Sequence, residues 1–219
     1  MTGVPGVPNT RLASLCLLSI CFVAGSASAG EPPLIATTCV ACHGARGEGS
    51  DTIGAPALAG QDAAYLARQL ANFRAGRRGY DPGDTGGVTM RSVATMLSDA
   101  DIHSLAVHYG SLPAIDRSQS TRAQGDPKAG KVLYDGSCAA CHGAHAQGFP
   151  QSSSPNLRTL QGWYVSLQMR NFQEGRRGAT NHADQLGVWM RSVATHIDQH
   201  QELADVVAYI DGLSATASR

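Results

Sequence analysis

Three features of this chain predict an all-α fold in two like units joined in tandem. Apolar residues recur at helical spacing, and no stretch shows the alternation of a half-buried strand. Asn72-Phe73-Arg74-Ala75-Gly76-Arg77-Arg78-Gly79 returns 99 positions later as Asn171-Phe172-Gln173-Glu174-Gly175-Arg176-Arg177-Gly178. Cys39-Val40-Ala41-Cys42-His43 returns at the same interval as Cys138-Ala139-Ala140-Cys141-His142.

That last segment carries the chemistry. Cys-x-x-Cys-His is the attachment motif of c-type haem: the two sulfurs lie on one helical face for thioether bonds to one porphyrin, and the adjoining imidazole reaches the iron. A dithiol redox motif would sit among alternating strands and helices, which are absent here. A four-cysteine zinc site joins pairs much closer than these, and neither alternative explains a histidine after both pairs. Two motifs imply two covalently bound haem c groups.

Arg11, the apolar run Leu12 to Ala24 and the small residues Ala27-Ser28-Ala29 form a secretory signal, with cleavage expected after Ala29. The run is shorter than the roughly 20 residues of a membrane span. Cys16 and Cys21 leave with it, so all four remaining cysteines belong to the motifs and none is left for a disulfide in an oxidising compartment. About 190 residues remain, enough for one or two small domains. Aromatics make up only 5% of the chain, so haem is expected to supply much of the apolar mass of each core and the apoprotein to fold poorly. A net charge near zero points away from nucleic acid. Gly30 to Asp116 carries six Arg against nine Asp and Glu, while Arg117 to Arg219 carries ten basic against eight acidic residues. This asymmetry suits either ordinary solvated faces or a dipolar molecule that orients towards redox partners.

A second block, Gly87 to Thr95, returns as Gly187 to Thr195, now 100 positions on, so one residue has entered between the blocks. Tyr65, Leu66, Gln69, Leu70 and Phe73 predict a helix ending near Gly76; Tyr164, Val165, Gln168, Met169 and Phe172 predict its twin, ending near Gly175. A further helix is expected from Ser98, with Asp101 completing a capping-box-like pair, through Ile102, Leu105, Ala106 and Tyr109 to Gly110. Its twin starts near Asp198, buries Leu203, Val206, Val207 and Ile210, and ends at Gly212. Residues 113–125 read as a polar linker between domains at 30–112 and 126–219, following the signal at 1–29. A helix over Pro127 to Ser137 leads into the second motif. Gly30 to Thr38 leaves little room for an equivalent before the first, and Pro32 and Pro33 delay its start.

Haem iron held by His43 or His142 needs a sixth ligand or keeps an open position. Met90 and Met190 occupy the same place in the second block, in what read as loops between helices, and a thioether raises the reduction potential. Met169 matches Leu70 and is expected to pack in a core; Met96 faces His196 across the repeat, so neither is a matched ligand. His182 and His196 are the candidates for a bis-histidine haem. Arg77, Arg78, Arg176 and Arg177 suit either haem propionates or a solvated helix end. Pro56 with Pro155 and Tyr65 with Tyr164 also match at 99.

The two Cys-x-x-Cys-His-Gly motifs, the Pro-x-Leu segments at Pro56 and Pro155, the Phe-x-x-Gly-x-Arg segments and the run Met90 to Tyr109 together resemble the di-haem class I cytochromes c of the cytochrome c4 family. The resemblance covers essentially the whole mature chain. It implies two cytochrome c domains with His43–Met90 and His142–Met190 as axial pairs, and proline carbonyls that orient the histidines. It also implies a periplasmic carrier of electrons, often towards a terminal oxidase, with no catalytic site and any membrane contact made through its partners. A haem subunit of a dehydrogenase, such as a flavocytochrome c sulfide dehydrogenase, is the alternative. A di-haem peroxidase would need one displaceable ligand, against which the matched methionines argue.

Overall fold

The computed structural model describes residues 1–3, 32–115, 124–182 and 184–216. The secretory signal, but for its first three residues, and linker residues 116–123 lie outside the described residues.

The first unit runs α1 (Ala36–His43), α2 (Ala63–Arg74), α3 (Thr85–Ala94) and α4 (Asp99–Ser111). The second runs α5 (Pro127–Ser137), α6 (Ala139–His142), α7 (Gly162–Gln173), α8 (Gln185–Ala194) and α9 (Gln201–Thr216), with 3-10 turns at Pro150–Ser152 and Leu157–Thr159. Among the described residues, extended pairing is limited to two isolated bridges, Ser50 with Ala55 and Phe149 with Ser154, one in each unit.

Capping explains where these helices begin. The Asp62 carboxylate accepts from the Tyr65 amide at 2.8 Å and starts α2. Ser98 and Asp101 form the full capping box of α4, each side chain accepting from the other's amide. Asp126 caps α5, with Pro127 in the first turn where its missing N–H costs nothing. After α2 and α7 the chain turns at Gly76 and Gly175, both at positive φ, where glycine is favoured.

Two expectations need correction. The repeated block holding Met90 and Met190 is helical, forming most of α3 and α8, because Asp84 and Asp184 accept from the Gly87 and Gly187 amides at 3.1 and 2.7 Å and satisfy the first turn. Nor do Gly110 and Gly212 end their helices. The chain stays helical to Ser111 and Thr216, since one glycine in a helix costs only about 1 kcal/mol against alanine.

Each unit has its own core. Leu66, Phe73, Leu97, Ile102, Leu105 and Tyr109 form the first, with Cys39 and Met90 packed at its margin. Tyr134, Val165, Phe172, Val206, Val207 and Ile210 form the second, with Cys138 and Met190 placed alike. α5 lies close against α9: a Cβ on Gly130 would collide with the Asp205 carbonyl oxygen. Among the described residues of the first unit no helix takes the corresponding place against α4. The units face each other through α2, α7 and the loops beside them, and side chains of each unit bond to the other.

Candidate haem sites

The first motif lies inside α1, with Cys39 and Cys42 one turn apart and His43 as the last helical residue. In the second, Cys138 precedes α6 and Cys141-His142 closes it. The four motif cysteines form no disulfide with one another. Burial, reinforced by the Cys141 thiol, pushes Cys138 up to about 11, and burial raises Cys39 as well.

Both histidines are buried, and each faces the carbonyl of the corresponding proline. His43 Nδ1 lies 2.7 Å from the Pro56 carbonyl oxygen and His142 Nδ1 lies 3.4 Å from that of Pro155. Because a carbonyl accepts only, Nδ1 carries the proton and Nε2 presents its lone pair, as a metal-ligating imidazole requires. Burial lowers the pKa of both rings, with the proline carbonyls opposing, which keeps the imidazoles neutral. The loop beyond each histidine closes on the same bonds: the Gly49 and Gly148 amides donate to the His43 and His142 carbonyls, both at 2.8 Å.

A cleft with a cavity volume of about 240 Å³ is lined by Cys138, Cys141 and His142, by Leu160, Met169 and Val206, and by Met190. It is apolar around the histidine and polar at its far end, where Tyr65, Gln69 and Arg78 of the first unit meet Tyr164, Gln168 and Arg177. A lining that combines apolar side chains, two cysteines, a buried imidazole and two arginines fits a haem, whose propionates the arginines at the boundary between units would hold. Unpartnered buried donors at that boundary, Arg78 Nε and Gln69 Nε2, agree with an anionic group there.

Met190 lines this cleft, and Met90 is half-buried in the matching position of the first unit. Met169 also lines the cleft, as a buried member of the second core, and Met96 is 71% exposed. His182 stacks on Tyr80 with ring centres 4.2 Å apart, and His196 Nδ1, just past α8, bonds the Ser192 carbonyl of that helix at 2.7 Å. Neither lines the cleft.

At the boundary the repeat becomes a two-fold arrangement. Arg78 donates to Gln69 Oε1, Gln168 Oε1 and the Tyr164 hydroxyl at 3.0, 3.0 and 2.6 Å. Arg177 donates to Gln168 Oε1 and Gln69 Oε1 at 2.8 and 3.0 Å. Each guanidinium also covers a phenylalanine of its own unit, Phe73 or Phe172, at 4.4 and 4.5 Å. Burial and the Arg78 charge push Arg177 down from its ordinary value, yet guanidinium stays charged. Among the described residues no carboxylate pairs with either arginine; the four ion pairs lie elsewhere. Two like charges side by side, Arg78 buried and Arg177 half-buried, call for anions. Arg77, by contrast, is exposed, and Arg176 pairs with Glu174 at 2.7 Å.

Sequence reasoning placed Gln69 and Gln168 only on a helical face, though their match at 99 was visible. It missed Gln61 and Gln161 altogether. Gln61, 1% exposed, reaches the Pro155 loop, where its Nε2 donates to the Asn156 carbonyl and the Thr159 hydroxyl and its Oε1 accepts from the Asn156 amide. Gln161 reaches the Pro56 loop and accepts from the Ala57 amide at 2.9 Å. No repeat match marks these two, because their positions differ by 100 within a stretch whose offset is 99.

Two helical units, each built about a Cys-x-x-Cys-His segment with a buried, carbonyl-held imidazole, define a di-haem c-type cytochrome. A family model described as Cytochrome c matches residues 28–109 and 127–214. The chain belongs to this family, as a two-domain member of the cytochrome c4 group, and carries two covalently bound haem c groups in electron transport. Cytochrome c4 of Pseudomonas aeruginosa is 30% identical over 213 residues, 92% of this chain and 96% of that protein. A protein of Thiomonas intermedia described as a thiosulfate dehydrogenase electron acceptor is 31% identical over 206 residues, covering 90% and 89%. The solved structure of Acidithiobacillus ferrooxidans cytochrome c4 superposes with a TM-score of 0.66 at 27% identity, over 82% of this chain and 99% of that one. Among the described residues no helix is long and apolar enough to cross a membrane.

Proposed function

We propose that this electron carrier works in the periplasm, exported by the signal at 1–29, and passes single electrons from a donor protein towards a terminal oxidase. Domain 1 spans 30–112 and domain 2 spans 126–219, joined by the linker at 113–125. Cys39 and Cys42 hold haem 1, Cys138 and Cys141 hold haem 2, and His43–Met90 and His142–Met190 are the axial pairs. Haem supplies an iron that alternates between ferric and ferrous states, tuned by its axial ligands.

The rest is the work of the chain. The proline carbonyls hold each imidazole in one tautomer and one plane, so little rearrangement accompanies a change of charge. The helices α3 and α8 hold the thioethers rigidly from the other side, which leaves no position for a substrate. Arg78 and Arg177 take the haem propionates at the boundary and are neutralised by them. The observation that carries this reading is the pairing, within one cleft, of a neutral carbonyl-held His142 with Met190. Met90→Ala and Met190→Ala are each expected to abolish the far-red methionine-to-ferric-iron band of one haem while both haems stay attached. Retention of the full band in either variant would overturn that axial assignment.

A second reading makes a dehydrogenase the donor. It is favoured by the similarity, along most of both chains, to the Thiomonas intermedia electron acceptor. Co-purification with a catalytic chain at constant stoichiometry would support it; a chain that runs alone and is not reduced by such an enzyme would count against it.

A further inference from the structure

The two glutamines at the boundary sit at a consequential point. Pro56 supplies the carbonyl that orients His43, and the next amide, Ala57 N–H, donates to Gln161 Oε1 of the other unit at 2.9 Å. Pro155 supplies the carbonyl for His142, and the next residue, Asn156, bonds Gln61 of the other unit through both its amide and its carbonyl, at 2.8 and 3.0 Å. All of these bonds are at least part-buried, where an unmade bond is costly. Space is reserved for one of them: Gly49 has φ +81°, and a Cβ there would lie 2.5 Å from Gln161 Nε2 and 2.6 Å from the Ala57 amide nitrogen.

We propose that Gln161 and Gln61 are positioning residues acting across the boundary, each clamping the proline loop that orients the other unit's haem-ligating histidine. Docking of the units thereby sets both reduction potentials. The inference rests on His43 and His142 being axial ligands. A firmly held carbonyl strengthens the Nδ1–H bond, makes Nε2 a better donor to ferric iron and lowers the potential; a loosened loop raises it. The effect crosses over: a change in the second unit appears at haem 1, and a change in the first at haem 2.

The test is a redox titration of holoprotein followed by NMR, with haem methyl signals assigned to each domain. Gln161→Leu is expected to raise the potential of haem 1 and to speed exchange of the His43 Nδ1 proton in the reduced protein, with haem 2 moving less. Gln61→Leu is expected to do the same for haem 2 and His142. Gln161→Asn, which keeps an amide but shortens its reach, should move haem 1 the same way by less, and serves if the leucine variant does not fold. Potentials that stay put, that move in the mutated unit, or that move equally in both overturn the clamp. If substituting His43 or His142 leaves its haem with unchanged low-spin spectra, the ligand reading fails instead.

Discussion

His43 and His142 differ in one measurable respect, since their carbonyl contacts are 2.7 and 3.4 Å. The shorter bond makes the His43 imidazole the more electron-rich ligand, so haem 1 should have the lower potential and haem 2 the higher. Domain-assigned redox titration checks the order, and the reverse order would deny the carbonyls their part. Arg78 is the second residue whose consequence reaches past its own contacts. Replacing it by Gln removes a cation beside haem 2, which should lower that potential because reduced iron loses a favourable charge nearby, while Arg78→Lys keeps most of the effect. The lost hydrogen bonds to Tyr164 and Gln168 should also cost about 1–3 kcal/mol in thermal or denaturant unfolding. The motifs single out the cysteines and histidines, and the repeat puts the two methionines forward as candidates. Gln61 and Gln161 were not legible in the chain, because an isolated glutamine is most often a surface residue and nothing local marks one destined for burial.

At the scale of elements, α2, α4, α7 and α9 announce themselves through apolar residues three and four apart. α3 and α8 do not, because their first turns hold Gly86-Gly87 or Gly187 and their faces mix Thr, Ser and Val, residues of weak helix propensity. The signal was instead the aspartate before each, a cap three residues ahead of the glycine amide it binds. Asp184→Ala should therefore fray α8 and disturb Met190, weakening the far-red band of haem 2 before that of haem 1. The close crossing of α5 and α9 is a second element-scale test. Gly130→Ala would press a methyl group into the Asp205 carbonyl and force the helices apart, at about 1–3 kcal/mol of stability. A variant as stable as the parent would show that this crossing is looser than described.

For the whole molecule, the boundary is the part least legible in sequence, since it depends on how two finished units dock. Its polar contacts include Arg68 with Asp184 at 2.7 Å, an Asn72 amide on the same carboxylate, and Trp163 Nε1 donating to Asp51 at 2.7 Å. Burial alone would raise the Asp184 pKa, but Asn72, the Gly187 amide and Arg68 together hold it below the ordinary carboxylate value. A depressed folded pKa contributes stability that is present above the unfolded value of about 3.9 and is lost as pH falls through the folded one. Asp184→Asn should thus be less stable than the parent above about pH 4 and converge with it in stronger acid. Removing haem should have a larger effect, because cores with so few aromatics lose their central apolar mass; circular dichroism of the apoprotein is expected to show much reduced helix. In the proposed function both irons are closed by a histidine and a methionine and exchange electrons without binding a substrate. Quantifying the far-red methionine band of the ferric holoprotein against total haem tests it most directly. Two methionine-ligated, low-spin haems per chain is the predicted result, and a high-spin or bis-histidine haem in either unit would contradict it.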